Sequence, residues 1–178
     1  MNTSLPACNL SRVQPGAFAS VQWYQKDPAL FRAEQVAMHR SFPQAKLGYL
    51  KDGRAYWMLP FTVKLGAYSK KCVIMLVYDS DHPSNAHYGG SVKAFLVTPT
   101  ISELQARASA AGRGGIPHLL SEGGTPYLCT ARQKDVENGR ERVTSAVTSA
   151  AWAIKWMYCY EGGLRDARLW SRFCRHVV

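Results

Sequence analysis

Between Lys71 and Asp79 the run CVIMLVY carries no charge, and it has the length and β-branched content of a strand buried on both faces. Cys72–Tyr78 is therefore predicted to lie centrally in a sheet. Upstream, Leu47, Tyr49 and Leu50 lead through Asp52-Gly53, a two-residue hairpin signal, into RAYWMLPFTV. Pro60 in that second strand has no N–H to give to a ladder, which places it at an edge or a bulge. Downstream, the turn-rich stretch Asp79–Ser91 opens onto VKAFLVTP, a fourth strand closed by Pro99. Four strands in sequence with short connections imply an antiparallel meander.

On either side of the meander the apolar period changes from two to about 3.6 residues. Asp27-Pro28 is a helix start, Asp accepting from the first N–H groups and Pro having its φ preset for the first turn. The helix runs through Ala29, Leu30, Phe31, Ala33, Ala37 and Met38 and ends near Phe42-Pro43. ISELQARASAA, capped by Thr100 or Ser102, predicts a short helix that GRGG breaks. Ile116–Arg142 has no sustained period and is expected to be a loop, of a length that compact domains keep mostly for function. Val143–Glu161 contains AAWAIKWMYCY, with Lys155 its only charge, and predicts a helix buried on nearly all sides and ended by Gly162-Gly163. In the last segment Trp170, Phe173, Cys174 and Val177 fall to one side, with Arg165, Arg168, Arg172 and Arg175 roughly opposite. The prediction is an α+β domain: an N-terminal helix, a four-stranded antiparallel meander, an active-site loop and C-terminal helices. It occupies residues 25–178 as a single domain, behind an N-terminal extension at 1–24.

Composition adds limits to this picture. With 178 residues, 47% apolar and 19% charged, the chain should fold as one unit. The formal charge is +10, but residues 1–89 carry 10 basic and 5 acidic side chains and residues 90–178 carry 12 and 7. Each half is thus +5, no basic tail stands out, and nucleic acid is not the expected partner. No apolar run is long enough to span a bilayer and the opening MNTSLPACNLSR has no basic and apolar leader pattern, so no membrane association is expected. Cys8, Cys72, Cys129, Cys159 and Cys174 are odd in number and scattered, which fits neither a disulfide framework nor zinc knuckles and points to a reducing cytoplasm.

One of these thiols is then a candidate for chemistry. Cys72 and Cys159 fall in a core strand and a core helix, where free cysteine is inert, and Cys8 and Cys174 are uninformative. Cys129 instead lies in the Gly- and Pro-rich segment PHLLSEGGTPYLC, eleven positions after His118. Pro117, His118, Gly123 or Gly124, Leu128 and Cys129, followed by the Trp-bearing helix, resemble the ubiquitin-conjugating enzyme fold (UBC fold). The likeness is greatest to its divergent bacterial members and covers roughly residues 25–175. The resemblance implies that Cys129 is the nucleophile, carrying a protein C-terminus as a thioester and passing it to an amine. Thiolate suits both steps, being a good nucleophile and a good leaving group.

The sequence also departs from the family. The His of eukaryotic members is followed by Pro-Asn, whose Asn stabilises the oxyanion, and here Leu119-Leu120 follow His118. His118 itself, Ser121 or the backbone N–H groups of Gly123-Gly124 are the replacements to consider. His118 is a candidate partner for the thiol and equally a candidate for a neutral histidine bonded to backbone. Tyr88 resembles the family's Tyr-Pro element, with Gly89 in place of the Pro. Glu122, Asp135 and Glu137 are near enough in sequence to orient or deprotonate an amine, although solvated loop charges are the simpler reading. Trp152 and Trp156 share a helix face and belong to the core. No cofactor is implied. His82, His87, Asp79 and Asp81 share a loop without ligand spacing elsewhere, and GRGG and EGG lack the setting of phosphate loops.

Bacterial relatives of this form occur in CBASS antiphage operons. The partners implied are a ubiquitin-like modifier or the C-terminus of a cGAS-like nucleotidyltransferase; since the chain is too short to include an adenylating domain, it would need a separate activating enzyme or would take an already activated or amide-linked acyl group by direct attack. Two other functions remain open: a thiol (iso)peptidase using His118 and Cys129, and a non-catalytic basic binding module built on the arginine stripe.

Overall fold

The structure is a computed structural model and describes residues 21–84, 90–130 and 145–175. A short helix, α1 (Trp23–Lys26), leads into α2 (Pro28–Ser41). The Asp27 carboxylate accepts from the Leu30 N–H at 2.9 Å, and the helix stops at Phe42 ahead of Pro43, as Asp27-Pro28 and Phe42-Pro43 predict. Strands β1 (Lys46–Tyr49), β2 (Ala55–Leu65), β3 (Tyr68–Tyr78) and β4 (Val92–Thr98) follow as an antiparallel meander. Next come α3 (Ile101–Ala110), a hairpin of β5 (Leu119–Glu122) and β6 (Thr125–Leu128), then α4 (Ala146–Arg165) and α5 (Ala167–Arg175). Thr100 and Glu103 form a reciprocal cap at the start of α3.

The sheet has six strands in the order β1-β2-β3-β4-β6-β5, where a four-stranded meander is expected from the sequence. The two additional strands come from the stretch read as a loop. Each is four residues long, too short for alternation to register as a period, but the residues between them carried the signal. Gly123 and Gly124 have φ of 53° and 80°, the left-handed pair that a two-residue hairpin turn requires. The Asp52-Gly53 turn differs in the other direction. Leu50 donates to the Arg54 carbonyl across a three-residue loop, and Asp52 accepts from the Arg54 N–H and Nε at 3.0 and 2.8 Å, which holds the wider turn.

Strand alternation divides the sheet into two faces. Trp57, Leu59, Ile74, Leu76, Val92, Ala94 and Leu128 pack with Met38 of α2, Ala150, Ala153, Trp156 and Met157 of α4, and Trp170 and Phe173 of α5. Met75, Val77, Phe95 and Tyr127 form a second cluster on the opposite face, with Tyr56, Met58 and Leu120 at its margin. β3 contributes to both clusters, which is why its sequence is apolar without alternation. Pro60 sits past the end of β1, where β2 has a neighbour on one side only. Its carbonyl accepts from Gln44 on the uncovered side, so the missing N–H costs no ladder bond.

Helix α4 passes through Gly162-Gly163 and ends four residues later than the sequence suggests. Gly163 is there for packing: a Cβ would lie 2.9 Å from Trp170 Cε3 and 3.1 Å from Trp170 Cα, so the glycine is what lets α5 fold back against α4. Helix α4 is buried or half-buried except at Thr148, Ala151, Lys155 and the terminal Arg165. No helix among the described residues is long and apolar enough to cross a membrane.

Candidate active site

Cys129 follows directly on β6. The hairpin that carries it is fixed from three directions. Leu128 pairs with Ala94 of β4, so β6 lies between β4 and β5 in the sheet. The Cys129 N–H donates to the His118 carbonyl at 2.9 Å, extending the hairpin by one rung. His118 Nε2 then lies 2.5 Å from the Phe173 carbonyl oxygen near the end of α5. A carbonyl only accepts, so Nε2 carries the proton, and the imidazole is spent on that side as a structural donor.

His118 is also the one non-glycine with positive φ, 56°, among the described residues. Left-handed backbone is uncommon for a side chain with a Cβ, and here it breaks the strand alternation and turns the ring toward Phe173, 5.6 Å between ring centroids. The structure therefore brings His118 and Cys129 together through their backbones, while the His118 ring is tied to α5. Cys129 itself is buried at 9% exposure, at the point where the described chain gives way to residues 131–144.

On the face away from the helices, the same hairpin is held by charge. Glu122 bonds Lys93 Nζ at 2.7 Å and approaches Arg54 at 3.7 Å, Lys93 bonds Asp79 at 2.8 Å, and Arg54 bonds Asp52 at 2.8 Å. Burial works against the Lys93 charge, but the bonds to Asp79 and Glu122 outweigh it and raise its pKa. Burial raises the Asp79 carboxyl, with Lys93 pulling the other way, and burial also raises the Tyr127 phenol. Glu122, a sequence candidate for handling an amine proton, is thus an ion-pair member that locks β5 to β4. Asp135 and Glu137 lie outside the described residues, as do Tyr88, Gly89 and Cys8.

The other cysteines separate by environment. Burial, with Glu161 second, pushes the Cys72 thiol up to about 11, and burial raises Cys159, so both resist forming thiolate. Cys174 is exposed on α5. Trp156 is buried and stacked on Tyr160, and Trp152 is half-buried with Lys155 Nζ 4.4 Å over its ring. His82 is buried against Trp23 and Tyr78 with Nδ1 2.9 Å from Ser91 Oγ, and burial lowers its pKa to about 4. With Asp79 held by Lys93, and His87 outside the described residues, no group of metal-ligating side chains forms among the described residues.

Sequence reasoning missed Thr130. Its hydroxyl is buried and has no hydrogen-bond partner among the described residues, a costly state for a donor set immediately after the candidate nucleophile. No motif marks it, and only the burial and bonding of that atom reveal it. No protein-family profile, no curated protein and no solved structure matches the chain.

Proposed function

We propose that the chain is a cysteine acyl carrier of ubiquitin-conjugating type. The Cys129 thiolate attacks the activated C-terminal carbonyl of a protein, expels the activating group and holds the acyl chain as a thioester. An amine then attacks that carbonyl, the thiolate leaves, and the amine's proton passes to solvent or to a nearby base. The observation that supports this most is the anchoring of the hairpin ahead of Cys129. The sheet through Ala94, helix α5 through His118 and the Lys93–Glu122 pair all fix the strand from which the thiol emerges.

The family's oxyanion donor is replaced by Leu120, which pairs with Tyr127 inside the sheet and offers no polar side-chain atom. Thr130 Oγ1, uncommitted and next in sequence, is the donor we assign in its place. The acyl group proposed is a ubiquitin-like modifier or the C-terminus of a cGAS-like nucleotidyltransferase, delivered by a separate activating enzyme in an antiphage (CBASS) setting within the bacterial cytoplasm. The thiol (iso)peptidase alternative uses the same thiol and differs in releasing its product to water rather than to an amine.

The test is exposure of the protein to a polypeptide bearing a synthetic C-terminal thioester, followed by a non-reducing gel and intact mass. An adduct that dithiothreitol removes and Cys129→Ala lacks is the expected result. An unmodified wild type, or the same adduct on Cys129→Ala, ends this reading.

A further inference from the structure

Helix α5 has two contrasting faces. Trp170 and Phe173 are buried against α4 and the sheet, and Arg168, Arg172 and Arg175 are exposed on the other side. At 100° per residue these three arginines fall within an arc of about 60°. Arg165, which the sequence groups with them, is drawn off: its guanidinium bonds Glu161 and lies 3.8 Å over the Tyr68 ring. None of the remaining three has a carboxylate partner among the described residues. The nearest acid in sequence, Asp166, is occupied in capping the helix by accepting from the Arg168 N–H at 2.7 Å.

Helix stability does not account for the stripe. Arg172 and Arg175 in the last turn complement the helix dipole, but Arg168 is the second residue of α5, where a cation opposes it. Leu169, beside Arg168, is 45% exposed, with its Cδ1 lying over Gly162. Three guanidinium groups without a carboxylate partner among the described residues, Arg175 giving only its Nε to the Ser171 carbonyl at 3.2 Å, are bordered by an exposed leucine and match carboxylates around an apolar residue. Single-stranded nucleic acid would call for exposed aromatic rings on which bases stack, and both aromatics of α5 are buried.

We infer that α5 is a docking surface for an acidic protein segment, its carboxylates on Arg168, Arg172 and Arg175 and an apolar residue on Leu169. Phe173 on the same helix holds His118, so the segment docks on the element that anchors the Cys129 hairpin. The inference does not depend on thioester chemistry.

The experiment is fluorescence anisotropy with a labelled helical peptide carrying glutamates at i, i+4 and i+7 and one leucine, alongside its lysine-for-glutamate counterpart and a single-stranded oligonucleotide of similar length. Wild type should bind the acidic peptide, more weakly as salt rises. The pair R168E and R172E should lose about tenfold or more in affinity and gain the lysine peptide. Leu169→Ser should weaken binding without altering its salt dependence, with circular dichroism confirming the fold of each variant. Cys129→Ala should bind as wild type does, so a failure here is separable from a failure of the acyl-carrier reading. No binding of the acidic peptide by wild type, equal binding by the charge-reversed pair, or preference for the oligonucleotide overturns the inference.

Discussion

Gly162 and Gly163 are adjacent in one helix and should respond oppositely to the same change. A Cβ on Gly163 meets the backbone of Trp170 at 3.1 Å, which no rotamer relieves, so Gly163→Ala should cost about 1–3 kcal/mol through α4–α5 separation. A Cβ on Gly162 meets only Leu169 Cδ1 at 3.5 Å, so Gly162→Ala should gain roughly 0.5–1 kcal/mol from helix propensity. Urea unfolding of the two variants measures both signs. The pair also explains a misreading of the sequence: two glycines after an apolar run look like a stop because local propensity says so. The reason to keep them inside the helix is a tryptophan seven residues further on, which propensity does not contain.

At the scale of elements, two side chains join pieces distant in sequence. One oxygen of the buried Glu34 on α2 accepts from the Tyr78 hydroxyl of β3 at 2.8 Å and from the Ala146 N–H at the start of α4 at 2.9 Å. Glu34→Ala should therefore cost on the order of 3 kcal/mol, read by thermal or urea unfolding, since both donors are left buried and unpaired. His118 does the corresponding work for the hairpin. His118→Ala should raise amide exchange at Leu128 and Cys129 while leaving the shape of the pH profile for Cys129 alkylation unchanged. A profile that loses a titration step would identify the ring as a base instead. Helix α2, the meander and the short helix at Ile101 were legible because each carries a cap or a period over many residues, whereas the four-residue α1 was not predicted. The β5–β6 hairpin was not, since four-residue strands are specified by their neighbours β4 and Phe173 more than by their own pattern. For the site, Cys129 and His118 stand out as residue types in a turn-rich stretch. The direction of the His118 ring depends on a single positive φ, and Thr130 is exceptional only in what its hydroxyl lacks.

For the molecule as a whole, the buried titratable groups predict sensitivity to acid. Burial lowers the His82 pKa to about 4, so between its ordinary 6.5 and that value the unfolded chain binds the proton that the folded chain refuses. Its contribution is complete above pH 6.5 and falls away toward pH 4, by on the order of 3 kcal/mol. Burial of Glu161 works against its charge, yet the Arg107 fork at 2.7 and 2.8 Å outweighs it and holds the carboxyl below the usual range. That contribution is present above the ordinary carboxylate pKa and is lost as pH drops through the lowered one. Asp79, raised by burial, acts in the opposite sense and offsets a part. Unfolding free energies at pH 7 and pH 4 should show the net loss, and His82→Phe should flatten its upper portion. The borders of the sheet have a different consequence. β1 and β5 at the two rims are four residues each, and the stretch of β2 that outruns β1 presents Pro60 and an exposed Lys64. An incoming strand finds a short template at either rim and a missing donor where β2 runs free, so the architecture resists edge-to-edge polymerisation.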